Sequence, residues 1–93
     1  VLEIGSGCGA ITGSLAQKAC SVTCVDLSKK RSLINAYRHQ DCDNVTIHVG
    51  NFSDIEPDLP TDYDFVCLIG VFEYAISAEK PPFTISTGLS KNM

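Results

Sequence analysis

The chain has 93 residues, 44% of them hydrophobic, and 7 Lys and Arg against 11 Asp and Glu give a formal net charge of -4. That length suits one small domain, and the acid excess argues against a nucleic acid held by its phosphates, which needs clustered cations. No apolar run nears the length of a bilayer crossing, and the five cysteines, without a C-x-x-C pair, indicate neither a disulfide framework nor a zinc site.

In chain order, Val1 to Ile4 is an apolar strand with Glu3 inside it, followed by Gly5-Ser6-Gly7-Cys8-Gly9. Glycines at alternate positions let the backbone take positive φ and let a ligand come close. A helix expected from roughly Ala10 to Cys20 would point its unpaired N–H groups back over this loop, with Ile11, Leu15 and Ala19 on its apolar face. Ser21 to Asp26 is a β-branched strand ending in an acid. The second helix, Ser28 to about His39, carries Leu33, Ile34 and Tyr37 for the sheet, while Lys29, Lys30, Arg31, Arg38 and His39 read as a solvated face.

Asp41 to Asn44 is a polar turn, Val45 to Val49 a third strand, and Gly50-Asn51-Phe52-Ser53-Asp54 the turn after it. The apolar run from Phe65 to Ile69 is what a parallel strand covered on both faces should look like. Pro81-Pro82 forbids a continuous helix through the tail, and Phe83 to Ile85 is compatible with a short strand. Alternating β and α elements predict an α/β fold, a Rossmann-like, doubly wound, mostly parallel sheet. The chain begins without Met, inside what should be a central strand, and is expected to be a fragment truncated after the fourth strand. Residues 1–76 form the partial core and 77–93 a tail without recognisable motif. An open apolar edge on strand four would favour self-association.

Two loop patterns compete. Gly5, Gly7 and Ala10 fit the dinucleotide pattern G-x-G-x-x-G/A; Glu3, Gly5, Gly7 and Gly9 fit acidic-x-G-x-G-x-G. The second uses one more residue, and here the chain resembles the class I S-adenosylmethionine-dependent methyltransferases. Gly50-Asn51-Phe52 and the exit Val71-Phe72-Glu73-Tyr74 resemble later motifs of that family, with Asn51 where Asp is commoner and Tyr74 where His is usual.

The resemblance implies S-adenosyl-L-methionine as cofactor, strand order three, two, one, four, and a set of holders. Glu3 would hold the amino group of the methionine portion; Gly5, Ser6, Gly7 and Gly9 would form the loop. Asp26, with Leu27 beside it, would take the ribose, Asn51 and Phe52 the adenine, and Ile69 the methionine part. None is a catalytic base, catalytic residues are unassigned, and no metal is implied. The segment Cys67 to Tyr74 resembles methyltransferase domains of glycan-modifying proteins, so a small-molecule or glycan acceptor is favoured over nucleic acid. The alternatives are an NAD(P)- or FAD-binding Rossmann domain of an oxidoreductase and an inactive remnant. The cysteines read as buried small hydrophobes in a reducing, cytoplasmic compartment, with Cys8 in the loop the one exposed to reaction.

Overall fold

A computed structural model describes residues 1–68 and 83–86 of the chain. Within them run β1 (Leu2–Ile4), α1 (Thr12–Lys18), β2 (Val22–Asp26), α2 (Lys29–Arg38), β3 (Val45–Val49), the short α3 (Phe52–Ile55), a 3₁₀ turn (Glu56–Asp58), β4 (Val66–Leu68) and β5 (Phe83–Ser86). The described strands form one sheet in the order β4-β1-β2-β3-β5. The first four are parallel, with Leu2 beside Thr23 and Val66, and Cys24 beside Ile47. The expected order three, two, one, four is therefore found, and the α/β, Rossmann-like fold with it. β5 adds an antiparallel strand outside β3, Val49 against Phe83.

Strand alternation divides the core in two. Val22, Cys24, Val45, Ile47 and Val49 face α1 and α2, meeting Leu15, Ala16, Ala19 and Ala36. Leu2, Ile4 and Val25 face the other way, onto Ile55, Phe52, Leu59 and Tyr63. Between them Glu3 points to the α1 and α2 side, where only a hydrogen-bonded carboxylate can be tolerated. Asn44, from the α2–β3 turn, closes the end of α1 by donating to the carbonyls of Ala16 at 2.9 Å and Ala19 at 3.2 Å.

Four expectations need correcting. The first helix is shorter than Ala10 to Cys20, and Ile11, its uncapped N-terminal neighbour, is exposed. α2 turns its other side inward: Ser32 and Asn35 are buried while Leu33, Ile34 and Tyr37 are exposed. Rotating it to bury those three would withdraw Asn35 from the polar contacts described below. Among the described residues β4 is not covered on both faces, since Phe65, Val66 and Leu68 are exposed, consistent with its place at the edge of the described sheet. Of the five free cysteines only Cys24 is buried; Cys20 is exposed, and Cys8, Cys42 and Cys67 are intermediate.

Candidate functional site

The loop after β1 has an unusual backbone because its glycines allow it: Gly5, Gly7 and Gly9 have φ of 80°, 57° and 88°. These are left-handed values that a side chain disfavours. The loop is tied down on several sides. Gly5 N–H donates to the Val25 carbonyl at 2.6 Å, Gly9 N–H to the Ser6 carbonyl at 3.0 Å, and the Arg38 guanidinium to the Cys8 carbonyl at 3.2 Å. The two flanking glycines differ in purpose. A Cβ on Gly7 would meet no heavy atom within 4 Å, whereas one on Gly9 would stand 2.6 Å from Asn35 Cγ. Gly7 faces open space and Gly9 makes room for α2.

Asp26 braces this loop from the end of β2. Its Oδ1 accepts from Gly7 N–H at 3.2 Å and its Oδ2 from Ser28 N–H at 3.0 Å, with Arg31 Nε 3.7 Å from Oδ2. Ser28 in turn caps α2, its hydroxyl accepting from Arg31 N–H at 3.1 Å. A carboxylate has about four acceptor positions, so two backbone donors leave capacity for further hydroxyls. Leu27, half-buried, follows directly.

Glu3 is fully buried. Its Oε1 accepts from Thr12 Oγ1 at 2.5 Å and from the Cys24 thiol at 3.5 Å, while Oε2 has no partner among the described residues. Burial first, and the Glu3 charge second, push the Cys24 thiol up to about 12, so it stays a neutral donor. Thr12 also accepts from Asn35 Nδ2 at 3.4 Å, and Asn35 Oδ1 lies 2.7 Å from His39 Nδ1. The same ring nitrogen is 3.0 Å from the Asn35 main-chain oxygen, which can only accept, so Nδ1 carries the proton. Ser6 Oγ, in the loop itself, is a second buried oxygen without a partner among the described residues.

Glu3, Ser6, Gly7 and Asp26 thus belong to one connected region at the carboxyl ends of β1 and β2, where ligands collect in open α/β sheets. Asn51 caps α3 beyond β3, its Oδ1 accepting from Ser53 N–H at 3.1 Å and Ser53 Oγ at 2.9 Å, and the half-buried Phe52 packs on the Leu2 side of the core. Ile69, Glu73 and Tyr74 lie outside the described residues. A cleft of about 350 Å³ lies elsewhere, toward the amino ends of the strands, among Val1, Ser21, Thr23 and Tyr63.

A family model described as methyltransferase domain matches residues 2–88. The chain belongs to that family. It is a methyltransferase domain, and S-adenosylmethionine is its methyl donor. No curated protein and no solved structure matches the chain significantly.

The residues of this methyltransferase fit such a donor. The unpartnered Glu3 Oε2 is an acceptor and the unpartnered Ser6 Oγ a hydroxyl that can donate. An acceptor and a hydroxyl of this kind suit groups such as the ammonium and carboxylate of the donor's amino-acid end. Thr12 and Asn35 escaped the sequence reading, and His39, expected on a solvated helix face, is half-buried and bonded to Asn35. One signal was present: Asn is disfavoured in a helix interior unless its side chain has a partner, and Asn35 stands four residues before His39.

Proposed function

We propose that the Gly5–Gly9 loop, Glu3, Asp26 and the Gly50-Asn51-Phe52 turn form the donor site of this methyltransferase. The observation that carries the reading is the braced loop, open above Gly7 and underlain by two buried oxygens without partners. When bound, S-adenosylmethionine supplies a methyl group on a sulfonium sulfur, which passes to a nucleophile of the acceptor. The protein's work is then to place donor and nucleophile in line and to exclude water. Glu3 Oε2 and Ser6 Oγ take the amino-acid end, and the remaining acceptor positions of Asp26 take the ribose hydroxyls, with Leu27 beside them. Asn51 takes the adenine amine by exchanging one Ser53 bond for it, and Phe52 flanks the ring, while Ile69, which the resemblance assigns to the methionine part, lies outside the described residues.

The net charge of -4 supports a small-molecule or glycan acceptor over nucleic acid. The exposed edge made by Phe65, Val66 and Leu68 supports self-association through β4. Five free cysteines favour a reducing, cytoplasmic setting. Among the described residues no helix is long and apolar enough to cross a membrane.

Calorimetric titration with S-adenosylhomocysteine, with NAD as comparator, tests the donor site. Saturable binding of S-adenosylhomocysteine alone is expected, weakened by Asp26→Ala. Tighter binding of NAD, or none of either by a folded chain, would sink the reading.

A further inference from the structure

We infer that Asn35 is a positioning residue of the donor site, holding the Glu3 carboxylate through Thr12 so that one oxygen is fixed inside the protein and the other is kept for the donor's ammonium group. The inference rests on the donor-site reading above and deepens it.

Glu3, Thr12 and Asn35 are each 0% exposed, on β1, α1 and α2 respectively. The Thr12 hydroxyl has one hydrogen, given to Glu3 Oε1 at 2.5 Å, and its oxygen accepts from Asn35 Nδ2 at 3.4 Å. Asn35 Oδ1 accepts from His39 Nδ1 at 2.7 Å. Every donor in this chain therefore points toward Glu3, an arrangement in which each bond polarises the next. The Cys24 thiol, 3.5 Å away, also donates to Oε1. With these groups on one oxygen, the carboxylate cannot turn without breaking them.

Oε2, by contrast, has no partner among the described residues. A buried carboxylate oxygen left unpaired is unfavourable, and a charge-assisted bond from an ammonium relieves it. Helix stability does not explain Asn35, since Asn is among the poorer helix-interior residues. Packing does not favour it either. Gly9 must lack a side chain to admit it, for a Cβ there would stand 2.6 Å from Asn35 Cγ and 2.9 Å from His39 Cε1. Gly9, Thr12 and Asn35 are fitted to one another around the carboxylate, while Leu33, Ile34 and Tyr37 of the same helix are left exposed.

The test compares two ligands in calorimetric titrations of the full chain. S-Adenosylhomocysteine has the amino-acid end; 5′-methylthioadenosine shares the nucleoside and lacks it. Asn35→Leu and Thr12→Val should each weaken S-adenosylhomocysteine about tenfold, the worth of one buried hydrogen bond, and leave 5′-methylthioadenosine unchanged. The double variant should lose little more than either single one, because both act on the same carboxylate. Parallel weakening of both ligands would reduce Asn35 to a fold-supporting residue, and unchanged S-adenosylhomocysteine affinity would overturn the inference. Should Asn35→Leu fail to fold, Thr12→Val carries the same comparison. A wild-type chain that binds 5′-methylthioadenosine but not S-adenosylhomocysteine also overturns it. One that binds neither overturns the donor site itself, and the positioning role with it.

Discussion

Gly9 and Asn35 occupy one another's space: a Cβ on Gly9 would stand 2.6 Å from Asn35 Cγ, with φ at +88°. Gly7, at φ +57°, has open space instead. Alanine at the two positions should therefore do different things. Gly9→Ala combines left-handed strain with overpacking and should cost about 2–4 kcal/mol of stability. Gly7→Ala bears the strain alone, about 1–2 kcal/mol, yet places a methyl where the ligand approaches. Urea denaturation should rank Gly9→Ala as the less stable, while titration with S-adenosylhomocysteine should show the larger fall in affinity per kcal/mol of lost stability for Gly7→Ala. The reverse order in both would mean that the two glycines have been assigned each other's roles.

Asp26 holds two backbone N–H groups, those of Gly7 and Ser28. Asp26→Ala leaves both without their acceptor in a partly buried setting and should destabilise the chain by about 1–2 kcal/mol, besides weakening cofactor binding. Asp26→Asn keeps one carbonyl oxygen and should lose less. Chemical denaturation of the two variants measures this, and equal stability of Asp26→Ala and wild type would show that the brace contributes nothing.

Burial holds the His48 imidazole below its ordinary value of 6.5, against an opposing pull from Asp58. His48 Nδ1 lies 2.7 Å from Thr84 Oγ1, joining β3 to β5. The unfolded chain thus takes up this proton at a higher pH than the folded one. Its contribution to stability is complete above 6.5 and is lost as pH falls through the folded-state value. Thermal midpoints followed from about pH 7 to about pH 5 should decline, and His48→Gln should flatten that part of the curve. An unchanged slope in the variant would assign the decline to other groups.

The exposed apolar residues of α2 give a fourth expectation. Leu33→Gln and Tyr37→Gln should each change stability by no more than about 0.5 kcal/mol, as surface substitutions do. Ile47→Ala, in the centre of the sheet and 0% exposed, should cost about 2–5 kcal/mol. A costly Leu33→Gln would mean that α2 packs with its other face inward.

That helix marks where sequence reasoning reached its limit. The strands were legible because β-branched runs such as Val45-Thr46-Ile47-His48-Val49 alternate at the period of a strand. The glycine loop was legible because positive φ restricts the residue type. In α2 the apolar period pointed to Leu33, Ile34 and Tyr37, yet its inward side is set by Asn35 bonding to Thr12 and His39. A hydrogen bond between residues on different helices leaves no periodicity to detect. The same holds for Asn44, which reads as turn and also closes α1. At the site, Glu3 and Asp26 were found by motif spacing, but their internal bonds depend on the meeting of β1, α1, β2 and α2, which only the fold brings about.

Among the described strands β4 and β5 are the two outer ones, four strand spacings or roughly 19 Å apart. β5 lies against β3 there, with Val49 opposite Phe83. Without β5, β3 would be an outer strand with its backbone donors and acceptors bare on that side. A polypeptide halted or cleaved before Phe83 would keep it so, presenting Val45, Ile47 and Val49 on a strand ready to pair with a neighbour. Phe83–Ser86 thus cover an edge of the sheet that β3 would otherwise leave bare.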